Sequence, residues 1–137
     1  MPEVDHDEEL VAKAIEFAEA LTHTVHSVLG PDEPAFEAVY EAKTGAARVV
    51  VRPRAAEGSP PPPIAIRIKD YVRLQLTVQI LCAWDRDKKL LAVAESKVTV
   101  RMTGKAEPLF RWEFLHAPGG NVPSGHFQIH AHRDEAV

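Results

Sequence analysis

Three histidines, His126, His130 and His132, recur at even-numbered positions of this 137-residue chain. The odd-numbered residues between them are all apolar, and this alternation is typical of a β-strand. Since side chains of a strand alternate between its two faces, we expect the three imidazoles to share one face. An imidazole has a pKa near 6.5 and can act as a general base or a general acid near neutral pH. The segment therefore predicts proton-transfer chemistry.

The spacing of these histidines limits the metal sites that they can form. A strand rises about 3.3 Å per residue, so His126 and His130 are about 13 Å apart and cannot bind one ion together. His130 and His132 are about 6.6 Å apart and can both reach an ion, because imidazole–metal bonds are about 2.0 to 2.1 Å long. Glu113 on a neighbouring strand would be the third ligand. We favour an interpretation without a metal or any other cofactor.

Strand register decides whether Arg111 joins the histidines. Residues 109–116 and the histidine segment are predicted to form a hairpin, joined by a Pro/Gly/Asn-rich loop at residues 117–125. In one register the aromatic residues of the first strand point inward, and Arg111 and Glu113 lie on the histidine face. A one-residue slip would place Trp112 there instead, on a surface suited to stacking with single-stranded nucleic acid. We predict the first register because it buries three aromatic side chains.

Three further cations are expected on the same face. Arg73, Lys97 and Arg101 occupy polar positions of alternating segments that precede the hairpin. Arginine can bind a phosphate through two parallel hydrogen bonds and stabilise its developing charge. We therefore assign catalytic roles to the three histidines and Arg111, and substrate binding to Arg73, Lys97 and Arg101. These are the components of a metal-independent ribonuclease.

The first element predicted to support the sheet that carries these histidines and cations is a helix. Asp5 and Glu8 match the capping-box pattern, and apolar residues recur at helical spacing as far as Leu29. A Gly-Pro pair follows and ends the pattern. We predict a helix at residues 7–29 whose apolar stripe packs on a sheet.

The remaining segments favour strands. Residues 71–84 alternate between apolar and polar side chains, and residues 90–102 return after a polar turn to form a hairpin. Residues 48–52 are a strand, whereas residues 35–43 fit either a strand or a short helix. We favour the strand because it completes a second hairpin. Residues 53–63 contain four consecutive prolines and are predicted as an exposed loop.

Together these elements predict a single α+β domain over residues 1–137. An amphipathic helix packs on one face of an antiparallel meander of four to six strands, which gives a two-layer sandwich. The single Cys82 falls on the apolar face of a strand and is predicted to be inert. The longest mainly apolar segment is far shorter than the roughly 20 residues of a membrane-spanning helix. We expect a cytoplasmic protein without a membrane partner.

Charge is unevenly distributed along the chain, whose net charge is -4. Residues 1–42 hold 11 acidic side chains against one lysine, and residues 43–111 hold 14 basic side chains against 6 acidic ones. The basic segment is suited to an anionic partner, while the acidic segment weakens nonspecific binding to nucleic acid. The chain has no phosphate-binding glycine loop, no zinc-binding cysteine pair and no Gly-x-Ser-x-Gly motif, which disfavours those enzyme classes.

The sequence Phe-Arg-Trp-Glu-Phe at residues 110–114, the proline-containing loop and the His-Phe-Gln-Ile-His-Ala-His sequence at residues 126–132 resemble part of a known family. They are similar to the carboxy-terminal part of small bacterial toxin-antitoxin proteins of the TumE type, over about a fifth of the chain. The resemblance implies a toxin-like activity against RNA or translation, with Arg111, His126, His130 and His132 at the matching positions. The Gly-Gly-Asn-Val-Pro-Ser loop and the four-proline run depart from that family.

Two functions remain open at this stage. The first is a bacterial RNA-directed effector, a metal-independent ribonuclease-like toxin. The second is a non-enzymatic regulatory subunit that uses the polar sheet face to assemble with a cognate protein or with a second copy of itself. The sequence does not decide whether the chain is an enzyme, nor does it identify the substrate, the partner or the oligomeric state.

Overall fold

A computed structural model describes residues 6–43, 46–115 and 124–129. In that part of the chain it contains one helix and seven strands. They are α1 (His6–Leu29), β1 (Phe36–Lys43), β2 (Ala46–Pro53), β3 (Ile64–Ile68), β4 (Tyr71–Trp84), β5 (Leu91–Met102), β6 (Pro108–Leu115) and β7 (Ser124–Ile129). The predicted helix is confirmed, and the ambiguous segment at residues 35–43 is a strand. The sequence analysis did not predict β3.

The strands form one antiparallel sheet in the lateral order β1-β2-β4-β5-β6-β7. Two strands share the same edge of β4. Residues 49–51 of β2 pair with residues 80–82, and β3 pairs with residues 71–76 farther along that edge. The sheet is therefore six positions wide and open, and the predicted α+β architecture is confirmed.

Alternation along β4 gives the sheet two different faces. Leu76, Val78 and Ile80 pack against the hydrophobic core beneath α1, together with the fully buried Cys82. The residues between them point the other way, because successive side chains of a strand lie on opposite faces. We call the surface that carries Leu76, Val78 and Ile80 the helix face. We call the opposite surface, which carries residues 73, 75, 77 and 79 of β4, the polar face.

Helix α1 packs through small and medium-sized side chains. Leu10, Ala14 and Ala18 are buried. Their partners in the core are Phe36, Val49, Val51, Ile64 and Cys82. Burying one leucine, valine, isoleucine or phenylalanine side chain stabilises a fold by about 1.5 to 3 kcal/mol. The first four strands and the helix thus form the stable centre of the domain.

The helix face continues beyond α1 onto β5 and β6. Met102, Phe110 and Trp112 lie there, with 39%, 37% and 44% of their surface exposed. The prediction that the aromatic residues of this segment are buried is therefore wrong for Phe110 and Trp112. The reason is geometric, because a helix about 10 to 12 Å wide covers only two or three strands that are about 4.8 Å apart.

Two polar side chains fasten the loop between α1 and β1 to the sheet. Thr22 Oγ1 accepts a hydrogen bond from the Phe36 amide at 2.8 Å. The Glu33 carboxylate, in a residue that is only 9% exposed, accepts one from the Ala65 amide at 2.6 Å. These bonds satisfy amides of β1 and β3 that no neighbouring strand could reach.

Thr22→Val should lower the free energy of unfolding by about 1 to 3 kcal/mol, because it leaves the part-buried Phe36 amide without its acceptor. Urea unfolding followed by circular dichroism measures this loss. Thr24→Val is the matched control, since Thr24 is also on α1 and its hydroxyl donates only to the Ala20 carbonyl, in an exposed position. Equal losses in the two variants would contradict this role for Thr22.

Candidate anion-binding face

Polar residues of β4 to β7 occupy three rows of paired positions on the polar face. Residues directly opposite each other in an antiparallel pair share a face, so the register defines these rows. The rows are Gln75 with Arg101, then Thr77, Thr99, Arg111 and Gln128, then Gln79, Lys97, Glu113 and His126. The predicted register of β6 and β7 is confirmed, because Glu113 is opposite His126 and Trp112 is opposite Phe127.

The other two predicted catalytic histidines, His130 and His132, lie outside the described residues. Of the predicted metal ligands His130, His132 and Glu113, the structure therefore describes only Glu113. Within the described ranges, no three His, Cys, Asp or Glu side chains are grouped closely enough to hold a metal ion. The catalytic assignments of the three histidines and Arg111 stay predictions.

Arg101 and Arg111 are the central cations of these rows. The Nε atom of each is enclosed and has no hydrogen-bond partner within the described part of the chain. Arg111 Nε lies 3.9 Å from Glu113 Oε1, an ion pair between two partly exposed side chains. A guanidinium has five N–H donors in a fixed fork, so this single long contact leaves donors for a phosphate or carboxylate.

Arg73 and Lys97 lie on the same face, as predicted, but in different surroundings. The Arg73 guanidinium lies 5.3 Å from the centre of the Tyr71 ring, in a cation–π contact at the end of the sheet. Lys97 is opposite Glu113 in the β5–β6 register. Their predicted role in substrate binding stays a prediction, and Lys97 has an acidic neighbour that offsets part of its charge.

The polar face carries charges of both signs toward its other end. Glu41, Arg48, Glu95 and Lys97 are among the residues that line a shallow cavity of about 190 Å³. Arg52 Nε lies 3.5 Å from Glu37 Oε1. Cations in this region therefore have acidic neighbours, whereas basic side chains outnumber acidic ones around Arg101 and Arg111 in the part of the face that the structure describes.

A second cavity lies where β2 ends and β3 begins. It has a volume of about 150 Å³ and is lined by Pro53, Pro61, Pro62, Thr77, Val78, Gln79 and Lys97. Pro53 is buried and the other two prolines are half-buried, so the prediction of an exposed loop at residues 53–63 is wrong at these positions. This cavity was not predicted from the sequence, although prolines at the end of β2 and before β3 indicate where these two strands stop.

Cys82 belongs to the core and not to the polar face. Its side chain is fully buried, and burial raises the pKa of the thiol from 9.0 to about 11. The thiolate is the reactive form of cysteine, so the thiol has little nucleophilic character near neutral pH.

No helix among the described residues is long and apolar enough to span a membrane. Comparisons with protein-family models, curated proteins and solved structures show no significant similarity to this chain. The resemblance to TumE-type proteins, the cognate protein partner and the homodimer all stay predictions. The chemistry of the polar face is therefore the basis for a functional proposal.

Native protein at pH 8 should react with Ellman's reagent much more slowly than urea-unfolded protein, because Cys82 is buried and protonated. The same pKa shift should make the fold less stable between about pH 9 and 11, where the thiol of the unfolded chain ionises first. Absorbance at 412 nm follows the labelling, and urea titrations at pH 8 and pH 10 follow the stability. Equal labelling rates for native and unfolded protein would contradict the burial of this thiol.

Proposed function

We propose that the chain binds single-stranded RNA across the polar face, with Arg101 and Arg111 as the phosphate-binding centre. The observation that supports this proposal is the placement of two arginines on adjacent strands of the polar face, each with an Nε atom that has no hydrogen-bond partner among the described residues. Arg52 on β2 shares this property, but its Nε lies 3.5 Å from the Glu37 carboxylate. Phosphate contacts made by arginine and lysine provide much of the affinity of proteins for nucleic acids. Arginine forms short, charge-assisted hydrogen bonds with phosphate oxygens.

The side chains around the two arginines favour unpaired nucleotides over a duplex. Gln75 and Gln79 each offer both donors and an acceptor, which suits the exposed edges of unpaired bases. The Thr77 hydroxyl donates to the Thr99 carbonyl at 3.5 Å and offers an acceptor. An open sheet is a recurrent platform for single-stranded RNA. The described part of this face carries no helix or protruding ribbon that could enter the major groove of a DNA duplex.

The acidic residues of the chain restrict where RNA binds. The acidic side chains of α1 lie on the opposite side of the sheet from Arg101 and Arg111, and Glu41 and Glu95 lie toward the other end of the polar face. Phosphates are repelled from the acidic side chains of α1. Glu41 and Glu95 offset the charge of their cationic neighbours Arg48 and Lys97. The RNA is therefore expected at the β4–β6 rows and not over the whole surface.

The same face supports cleavage of the bound RNA as an extension of this proposal. One strand histidine removes the proton from a ribose 2′-hydroxyl, and the 2′-oxygen attacks the adjacent phosphorus. A second histidine gives a proton to the departing 5′-oxygen, which leaves a 2′,3′-cyclic phosphate. Arg111 stabilises the charge that develops on the phosphate. His126, His130 and His132 are the candidates for the two proton transfers, and this route needs no added co-reactant.

Arg101→Gln and Arg111→Gln should each weaken the binding of a labelled RNA decamer and reduce the slope of log K against log salt by about 0.7. The reason is that each variant removes one phosphate contact and the counterion release that accompanies it. Fluorescence anisotropy at several salt concentrations measures both effects. Arg86→Gln makes the same charge change in the exposed turn between β4 and β5 and should leave the slope unchanged. If all three variants give the same slope as the wild type, the arginine rows do not bind phosphate.

Purified protein should cleave total RNA in the presence of EDTA, and His130→Ala should lower the rate by about 10² to 10⁴, the usual contribution of a general acid or base. His126→Ala should have a comparable effect. Gel electrophoresis of the products measures the rates. His23→Ala, which removes an exposed histidine of α1, is the matched control and should cleave like the wild type. Equal cleavage by the wild type and His130→Ala, or none by either, would exclude the ribonuclease step without affecting the binding test.

A further inference from the structure

Strand β4 has an unpaired stretch in the middle of the sheet. Residues 80–82 pair with β2 and residues 71–76 pair with β3, so residues 77–79 have no strand partner on that edge among the described residues. The opposite edge of β4 pairs with β5 throughout this stretch. The gap is therefore an interruption inside a sheet and not a frayed end.

The hydrogen-bond pattern shows which backbone groups point into this gap. The Thr103 amide donates to the Arg73 carbonyl at 3.0 Å, so odd-numbered residues in this part of β4 bond to β5. Even-numbered residues, including Val78, direct their amide and carbonyl groups to the other edge of β4. The pattern on β2 agrees, since the Arg54 amide bonds to the Ala35 carbonyl on the β1 side.

Both residues that the register would place opposite Val78 are prolines. Val51 of β2 is opposite Ile80, so the same register would place Pro53 opposite Val78. Ile64 of β3 is opposite Leu76, so its register would place Pro62 opposite Val78. Proline has no backbone N–H and cannot donate to a strand ladder. Neither strand can therefore supply a donor for the Val78 carbonyl, and a backbone acceptor in such a position requires water or a ligand.

The cavity at this gap has the size and lining of a site for one heterocyclic ring. Its volume of about 150 Å³ corresponds to about five water molecules at about 30 Å³ each. Proline rings wall one side, and proline packs well on aromatic surfaces. Thr77, Gln79 and Lys97 also line the cavity. The Val78 side chain packs in the core, so this residue reaches the cavity through its backbone.

The cavity also lies close to the proposed phosphate centre. Thr77, Thr99 and Arg111 form one row, and strands are about 4.8 Å apart, so Arg111 is about 10 Å from the cavity along the sheet. A short single-stranded segment can therefore place a base in the cavity and a phosphate at Arg111.

We propose that this cavity is a nucleobase subsite that binds a pyrimidine of single-stranded RNA, whose N–H donor bonds to the Val78 carbonyl while the prolines pack on the ring. This inference rests on the proposed RNA binding and adds base preference to it. A pyrimidine is proposed because a volume of about 150 Å³ matches that of a cavity that holds one six-membered ring. Gln79 completes the recognition of the ring edge, and the Thr77 hydroxyl, which donates to the Thr99 carbonyl at 3.5 Å, is an acceptor for it.

Binding of labelled C10, U10 and A10 decamers, measured by fluorescence anisotropy at low salt, tests this subsite. Wild-type protein should bind a pyrimidine decamer about three- to tenfold more tightly than A10, which is the net effect of about one hydrogen bond. Pro62→Ala restores an amide opposite Val78 and removes part of the wall, so it should abolish the preference. Thr77→Val, which removes a hydroxyl from the lining, should reduce it and serves as a second variant if Pro62→Ala is unstable.

Two matched controls separate the cavity from its surroundings. Pro60→Ala changes an exposed proline of the same run that does not line the cavity, and Thr103→Val changes an exposed threonine in the turn after β5. Both should keep the preference. Equal binding of all decamers by wild-type protein would mean that the cavity holds only water, which overturns the subsite and leaves RNA binding intact. Loss of preference in Pro60→Ala as large as in Pro62→Ala would also overturn it. Failure to bind any decamer would overturn the proposed function itself.

Discussion

Side-chain alternation along β4 is the constraint on which both faces of the sheet depend. This strand pairs on both edges, with β2 and β3 on one side and β5 on the other. A one-residue slip against either neighbour would move its apolar residues to the polar face. The burial of Val78 and Ile80 beneath α1 opposes such a slip. The same packing therefore holds Thr77 and Gln79 on the opposite surface, where the candidate sites lie.

The width of α1 determines which surfaces of the sheet remain exposed. One helix cannot cover six strand positions, so it packs over the first strands and leaves the helix face of β5 and β6 partly exposed. In the described part of the chain, no helix packs on the polar face. As a result, the acidic helix and the arginines of β5 and β6 are on opposite sides of the sheet. This separation keeps the arginine rows from being neutralised by the acidic segment of their own chain.

Sequence patterns were sufficient for features that depend on local periodicity. The bounds of α1 and β4 follow from periods of 3.6 and 2 residues, and the register of β6 with β7 follows from keeping the aromatic residues on one face. The reason given for that register, burial of all three aromatics, fails at Phe110 and Trp112 because it assumed a helix wide enough to cover them. Strand β3 is only five residues long and follows the proline run. Its isoleucines at positions 64, 66 and 68 have the two-residue period of a strand, so this signal was present in the sequence but was not used.

The gap at Val78 could not be derived from any local pattern, because it depends on two strands that pair with the same edge of β4. Prolines usually occupy edges of sheets, where the missing N–H faces solvent. Pro53 and Pro62 instead face the central strand β4. The Val78 carbonyl, for which they provide no donor, lies in the plane of the sheet. The Val78 side chain packs against the core on the helix face, and the cavity beside Val78 is lined by Thr77, Gln79 and Lys97 of the polar face. Side-chain alternation places Arg111 on the polar face, and the polar face is also the surface from which a base could reach the Val78 carbonyl.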